Sequence, residues 1–303
     1  MFVLSILNKK GGVGKTTITT NLAQCLTILG QKVLVIDNDE QHNLSTSLGI
    51  KLRNCTKGLA DVLVAAAATP AKKLNAKKLN DVVAEAIYGS MVDGLDCIPG
   101  GRALDNIVAR PDALKDVLEC DVIKSLEYDI VLIDNAPTLS HNTICAINCS
   151  TAFLLPVQLR QYALDGLAEM YRILQVEYKI PTERIMIVRN MYKETIASRR
   201  IASEAVAATY SASVLDTIIP EDETFEKVVA ASKSMFFSFT RSKGTLVFHD
   251  LVCEIFEFNK EEMLDKLIKK VKEYRSEIAT DNLNKSRARN LFVKNSAETQ
   301  ERG

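Results

Sequence analysis

The chain has 303 residues, 47% hydrophobic and 25% charged, the make-up of a globular protein with room for a large core. Lysine plus arginine total 38 and so do aspartate plus glutamate, which excludes a whole-molecule field drawing the protein to nucleic acid or an acidic membrane; any such binding must come from local patches. No apolar stretch reaches the roughly 18 residues that cross a bilayer, and in "MFVLSILNKK" the positive charge follows the apolar run, which argues against a secretory signal; the expected location is the cytoplasm.

Seven apolar runs follow one another along the chain: FVLSIL (2–7), KVLVID (32–37), LDCIP (95–99), DIVLID (129–134), TAFLLPV (151–157), RIMIVRN (184–190) and SVLDTIIP (213–220). They are continuous rather than alternating, as strands covered on both faces must be. The sequence therefore predicts an α/β fold: a single doubly wound, mostly parallel sheet with helices on both sides, over residues 1–258. Between the first two runs Ile18, Leu22, Cys25, Leu26 and Leu29 recur at helical spacing and Gly30 supplies a stop. A helix is expected over 111–127, with Pro111 in its first turn. The duplicated pentapeptide AKKLNAKKLN (71–80) reads as a solvated helix face.

A charged segment, 259–303, closes the chain. From residue 260 onward it carries eleven basic and eight acidic side chains. Leu264, Leu267, Val271, Tyr274 and Ile278 form an apolar stripe on one helix, and beyond Ala279 the sequence is polar enough to fray. The seven cysteines form no paired framework and suit a reduced core. Cys145 and Cys149, four apart on an expected helix, could share a ligand; His42, His141 and His249 stand isolated.

The chemistry concentrates in KKGGVGKTT, residues 9–17. A loop between a buried strand and a helix aims several backbone N–H groups at one point, where the helix dipole adds about half a positive charge, and phosphate fits there. Gly11, Gly12, Val13 and Gly14 form the backbone cradle with Lys15, Thr16 and Thr17; Lys15 would reach the β- and γ-phosphates and Thr16 would hold Mg²⁺. The usual pattern wants glycine at position 9, where this chain has Lys9, with Lys10 beside it. Asp134 ends the run DIVLID, where a metal-positioning acid belongs. Asp37 and Asp39 end the second run and should reach the same sheet edge, Asp39 to orient the attacking water and Asp37 to support the metal or the switch loop.

With Lys10 ahead of the glycines, KKGGVGKTT resembles the deviant Walker A loop of ParA/MinD-type ATPases. DNDEQ resembles that family's D-x-D-P-Q segment and IDNAP its Walker B segment, with Glu40 and Ala136 standing where proline is usual. LLPVQLRQYALDGL (154–167) and the stretch 217–244 look similar to ParA partition proteins in order and spacing. The likeness spans about residues 1–257. It implies a Mg²⁺-dependent ATPase with slow basal turnover, in which Lys10 contacts the triphosphate bound to a second, face-to-face subunit. Lys9 is then expected to be exposed and without a role. It also implies that Asn190 and Pro220 line the adenine pocket, and the absence of an N-K-x-D motif favours ATP over GTP.

ParA-like proteins bind DNA without sequence preference as ATP dimers and leave it when a ParB-like adaptor stimulates hydrolysis. By that resemblance the partners would be a second copy of the chain, non-specific DNA and such an adaptor, the location the nucleoid, and the task segregation of plasmid or chromosomal DNA or positioning of a cargo. Lys233, Arg241 and Lys243 fall where the family places part of its basic surface, and the pair Arg199 and Arg200 adds candidates. The alternative is a MinD-like membrane-positioning ATPase; the terminal helix mixes acidic with basic residues and lacks tryptophan and phenylalanine, which favours DNA over membrane. An iron–sulfur reductase would need paired cysteines, for which Cys97 and Cys120 are the nearest candidates. A scaffold that never turns over would differ in phosphate release.

Overall fold

The structure, a computed structural model, describes residues 1–68, 76–159, 164–222, 224–225, 234–238, 242–274 and 276. Eight strands form one sheet: β1 (Phe2–Ile6), β2 (Val33–Asn38), β3 (Tyr88–Gly89), β4 (Leu95–Ile98), β5 (Ile130–Asn135), β6 (Ala152–Gln158), β7 (Ile185–Tyr192) and β8 (Val214–Pro220), in the order β3-β4-β2-β5-β1-β6-β7-β8. All neighbours are parallel except the short edge pair β3–β4. The doubly wound parallel sheet expected from the seven apolar runs is thus the architecture observed. β3, two residues long, gave no periodicity to read.

Continuous apolar strands bury both faces. Leu4 and Ile6 of β1, with Val33 and Val35 of β2, pack beneath α1 (Lys15–Ile28) and the helix Lys243–Ile255. On the opposite face Val3, Leu34, Ile36, Val131 and Ile133 meet α3 (Leu59–Ala67), α4 (Ala76–Ala86), α5 (Ala113–Leu118) and α7 (His141–Cys149). A third cluster joins β6 and β7 to α8 (Leu164–Arg172) and α9 (Ala197–Thr209). The short α2 (Asn43–Ser47) and α6 (Asp121–Leu126) complete the set of numbered helices. Ile18, Leu22, Cys25 and Leu26 of α1 and its C-cap Leu29 are all buried, and Gly30, at φ +89°, follows in the left-handed region that favours glycine.

Two local expectations are corrected. The helix expected over 111–127 is two helices, because Cys120 adopts an extended conformation (φ −70°, ψ 160°) between α5 and α6. Asn80 Oδ1, from α4, accepts the Val122 N–H at 3.1 Å, so a neighbouring side chain takes up a donor that the break releases. Second, Lys9 is not free in solvent: its ammonium pairs with Glu169 of α8 at 2.5 Å. The terminal stripe, by contrast, is observed as expected over the described residues. On the helical stretch 260–274, Leu267 and Val271 are buried in the core beside α1, Leu264 and Tyr274 are half-buried, and Tyr274 stacks on Phe237 at 3.7 Å. Ile278 and everything from 277 onward lie outside the described residues, as do residues 71–75 of the duplicated pentapeptide. Among the described residues no helix is long and apolar enough to cross a membrane.

Candidate functional site

The loop from β1 to α1 is built around Asn8. Its amide Nδ2 donates to Pro156 O of β6 at 2.7 Å, and its Oδ1 accepts the Lys10 N–H at 2.9 Å, turning the chain toward α1. Gly12 (φ +73°) and Gly14 (φ +92°) carry the loop through left-handed geometry. Gly14 has a second constraint: a Cβ there would overlap Asn190 Nδ2, which donates to Val13 O at 2.8 Å. The loop is therefore clamped between β6 and β7 before any ligand arrives.

The two lysines of the loop have different surroundings. Lys15 is 7% exposed, and its ammonium is held by the carbonyls of Asn8 (3.3 Å) and Lys10 (3.4 Å). Burial pushes its pKa down, opposed by the carboxylates of Asp134 and Asp39. Lys10 is half-buried by its stem, and its ammonium has no hydrogen-bond or ion-pair partner among the described residues.

Facing the loop, β2 and β5 end in matched pairs: Asp37 lies opposite Asp134 and Asn38 opposite Asn135. Asp134 is buried and accepts from Thr16 Oγ1 at 2.7 Å and, more weakly, from Thr19 Oγ1 at 3.4 Å. Burial, and next the neighbouring Asp37, push its carboxyl up to about 7. Asp37 is fully buried; Oδ2 accepts the Ser45 N–H at 2.8 Å and its hydroxyl at 2.5 Å, while Oδ1 has no partner among the described residues. Burial raises it to about 6, against the pull of the Ser45 bonds. Asp39 is half-exposed, its Oδ1 accepting the Gln41 N–H at 2.9 Å.

The asparagines bind these strand ends together. Asn38 Nδ2 donates to Asn135 Oδ1 (2.8 Å) and to Asn142 O of α7 (3.1 Å), and Asn135 Nδ2 donates to Ile6 O (3.2 Å). Asn8, Ser45, Asn38 and Asn135 had no role in the sequence reading. The repeated Asp-Asn closing both strands was the available signal.

A cleft of about 710 Å³ opens over this floor. Loop residues Gly11, Gly12, Gly14, Lys15, Thr16 and Thr17 line one wall; Asn38, Asp39 and Glu40, the turn 104–108 and residues 136–142 line the other, with Met191 at the β7 end. The structure thus brings Lys15, Thr16, Asp37, Asp39 and Asp134 to one sheet edge. Asn190 is buried behind the loop, both ends of its amide engaged by Val13 O and the Met191 N–H. Pro220 ends β8 opposite Tyr192, and neither it nor Asn190 lines the cleft.

Among the basic candidates Arg200 and Lys243 are exposed, whereas Lys233 and Arg241 lie outside the described residues. Arg199 is corrected: it is 7% exposed and its guanidinium is spent on Met191 O (2.7 Å) and Glu221 (2.6 Å), because the side chain turns inward between β7 and β8. Cys97 is buried in β4, and Cys120 joins two helices instead of lying inside one. Cys145 Sγ donates to Arg110 O at 3.1 Å. Among the described residues no cluster of three or more histidine, cysteine or acidic side chains could hold a metal by itself.

A glycine-bearing loop between the first strand and first helix of a parallel sheet, with acids at the ends of β5 beside it and of β2 one strand further, defines a P-loop nucleotide-binding α/β protein. Comparison with known proteins narrows the class. A family model described as "AAA domain" matches residues 1–187. Over 263 residues the chain is 30% identical to the sporulation initiation inhibitor protein Soj of Bacillus subtilis, covering 84% of this chain and 97% of that protein. It is also 30% identical to the chromosome partitioning protein ParA of Caulobacter vibrioides, with 84% and 93% covered. The septum site-determining protein MinD of Pyrococcus horikoshii, solved with Mg-ADP, superposes with a TM-score of 0.66 at 26% identity, covering 84% of this chain and 95% of that one. The chain belongs to the ParA/MinD family of P-loop ATPases and is of the ParA partition type.

Proposed function

We propose that the protein is a partition ATPase that pairs face to face when it binds ATP, holds DNA non-specifically as that pair, and is released when an adaptor protein stimulates hydrolysis. The observation that carries this reading is the contrast between the two loop lysines. Lys15 is caged for a phosphate in its own site, while Lys10 keeps an ammonium without a partner at the rim. A lysine so placed can neutralise a transferred phosphoryl group across a dimer face, as an arginine finger does in trans.

The residues also suit Mg²⁺. Two buried carboxyls with raised pKa values, one with an unpartnered oxygen, lie beside a threonine hydroxyl. Thr16 and Asp134, supported by Asp37, would hold the ion, which would neutralise charge on the phosphates. Asp39, half-exposed just past the end of β2 and lining the cleft, would orient the attacking water.

Pairing doubles every phosphate contact, and because affinity rises steeply with contact number, a surface too weak in one copy becomes useful in two. Arg200 and Lys243 are the exposed contributors we assign. The membrane alternative draws no support from the terminal helix, whose Leu267 and Val271 are already buried against the protein's own core. Light scattering of the full chain with and without ATP, beside Lys10→Ala, tests the reading. ATP-dependent doubling in the parent and its loss in the variant are expected; a parent that stays monomeric with ATP rejects it.

A further inference from the structure

Lys9 and Lys10 stand side by side at the mouth of the phosphate loop, one ion-paired and the other, among the described residues, without a partner for its ammonium. What parts them is α8. It reaches the loop through Gly166 and Glu169, three apart and so on one helix face. Leu167 and Met170 seat the helix, for both are buried in the cluster that holds Leu155 and Val157 of β6. The start of the loop thus runs along a wall that is anchored on the sheet.

Gly166 makes the close approach. A Cβ there would lie 3.1 Å from Asn8 Oδ1, 3.4 Å from Lys10 Cβ and 3.6 Å from the Lys10 nitrogen, so the stem of Lys10 rests directly on bare helix backbone. Asn8 has little room to yield, because its amide is engaged at both ends, by Pro156 O (2.7 Å) and the Lys10 N–H (2.9 Å). Lys10 is the part that would have to move. One turn on, Glu169 Oε1 holds the Lys9 ammonium at 2.5 Å and neutralises it, which leaves Lys10 as the cation offered at the rim. With Lys9 drawn onto Glu169 and the Lys10 stem resting on Gly166, α8 sets the direction in which the Lys10 ammonium leaves the loop.

We propose that Gly166 and Glu169 are positioning residues, which together make α8 the element that aims Lys10 at the nucleotide of a second copy. This rests on the face-to-face pairing proposed above. Binding of the subunit's own nucleotide falls to Lys15, Thr16 and the glycine backbone, so aiming and binding are separable.

Mg-ATP titration at concentrations where the full chain is monomeric, beside light scattering of ATP-dependent pairing, measures the two apart. Gly166→Ala adds a methyl group where Lys10 rests and is a better helix former. It should keep its melting temperature within about 3 °C of the parent's, bind Mg-ATP within about twofold and pair about tenfold more weakly. Glu169→Gln should show the same split on the scale of an exposed ion pair, about threefold in pairing. The exchange of Lys9→Glu with Glu169→Lys puts the bond back and should restore pairing, a rescue that a loss of helix packing does not predict. Parental pairing in Gly166→Ala, equal losses of ATP binding and pairing, or an exchange variant no better than Glu169→Gln would each overturn the assignment. A parent that binds Mg-ATP yet stays monomeric would remove the pairing reading and this inference with it, an outcome distinct from any variant result.

Discussion

Thr16 Oγ1 donates to Asp134 Oδ2 at 2.7 Å, joining the first turn of α1 to the end of β5. That bond keeps a carboxyl in the sheet's interior beside a second one, Asp37, and both are raised, to about 7 and about 6. A group whose folded pKa lies above its unfolded one contributes stability at low pH and loses it as pH rises through the folded value. The nucleotide-free protein should therefore melt at falling temperature from about pH 5 to about pH 8. Asp134→Asn, nearly isosteric and unable to ionise, should flatten that slope and stabilise the protein at about pH 8 by on the order of 3 kcal/mol. The same variant should lose Mg²⁺-dependent hydrolysis. Thermal melts in chelator check it: an unchanged pH slope in the variant would mean that Asp134 is ionised in the folded apo state.

Lys10 presents a separable case, because its backbone builds the loop while its ammonium does not. The Lys10 N–H and carbonyl serve Asn8 and Lys15, and alanine retains both groups. Lys10→Ala should bind Mg-ATP within about twofold of the parent, stay monomeric, and lose adaptor-stimulated turnover by about a hundredfold or more, the scale of a trans cation in phosphoryl transfer. A normal ATP-dependent dimer in this variant would refute the trans role. Lys15→Ala, by contrast, should abolish nucleotide binding altogether.

Much of this site could be read from residues 9–17, 37–39 and 134, because strand, loop and helix signals coincide there and parallel strands end on one edge. The seven parallel strands were legible for the same reason: they are continuous apolar runs. What escaped was set by long-range contacts. The break at Cys120 goes with a bond from the Val122 N–H to Asn80, forty-two residues earlier in the chain and invisible to helical periodicity. Arg199 looks like half of a surface pair until β7 and β8 close around it. Ala136, in a position where the resembling family usually has proline, donates its N–H to Asn38 O at 3.2 Å. Proline could not make that bond, so the departure ties the ends of β5 and β2 together.

The basic surface can be tested through salt. Arg200 and Lys243 are exposed, while Arg199 is committed inside. In a DNA-bound pair, Arg200→Ala with Lys243→Ala removes four charges, and each lost phosphate contact should lower the slope of log affinity against log salt by about 0.9. A drop of about 3 to 4 in that slope, with ATP-dependent pairing retained, is expected from competition titrations at several salt concentrations. An unchanged slope would move the DNA surface elsewhere on the protein.

Asp39 decides whether pairing and cleavage can be uncoupled. It lines the cleft, is half-exposed, and uses Oδ1 to fix the turn through the Gln41 N–H at 2.9 Å. Unlike Asp37 and Asp134 it is not sealed beneath the loop, so it alone of the three can meet a water from the cleft. Asp39→Ala should leave ATP binding and pairing intact, while turnover with DNA and adaptor falls by about 10² to 10⁴, the usual contribution of a positioned base. The ATP-bound pair should then accumulate on DNA and resist release, measurable as a long-lived complex in a dissociation assay. If Asp39→Ala instead hydrolyses ATP and leaves DNA as fast as the parent, the water is oriented by another group, and Glu40, beside it on the same cleft wall, becomes the residue to substitute next.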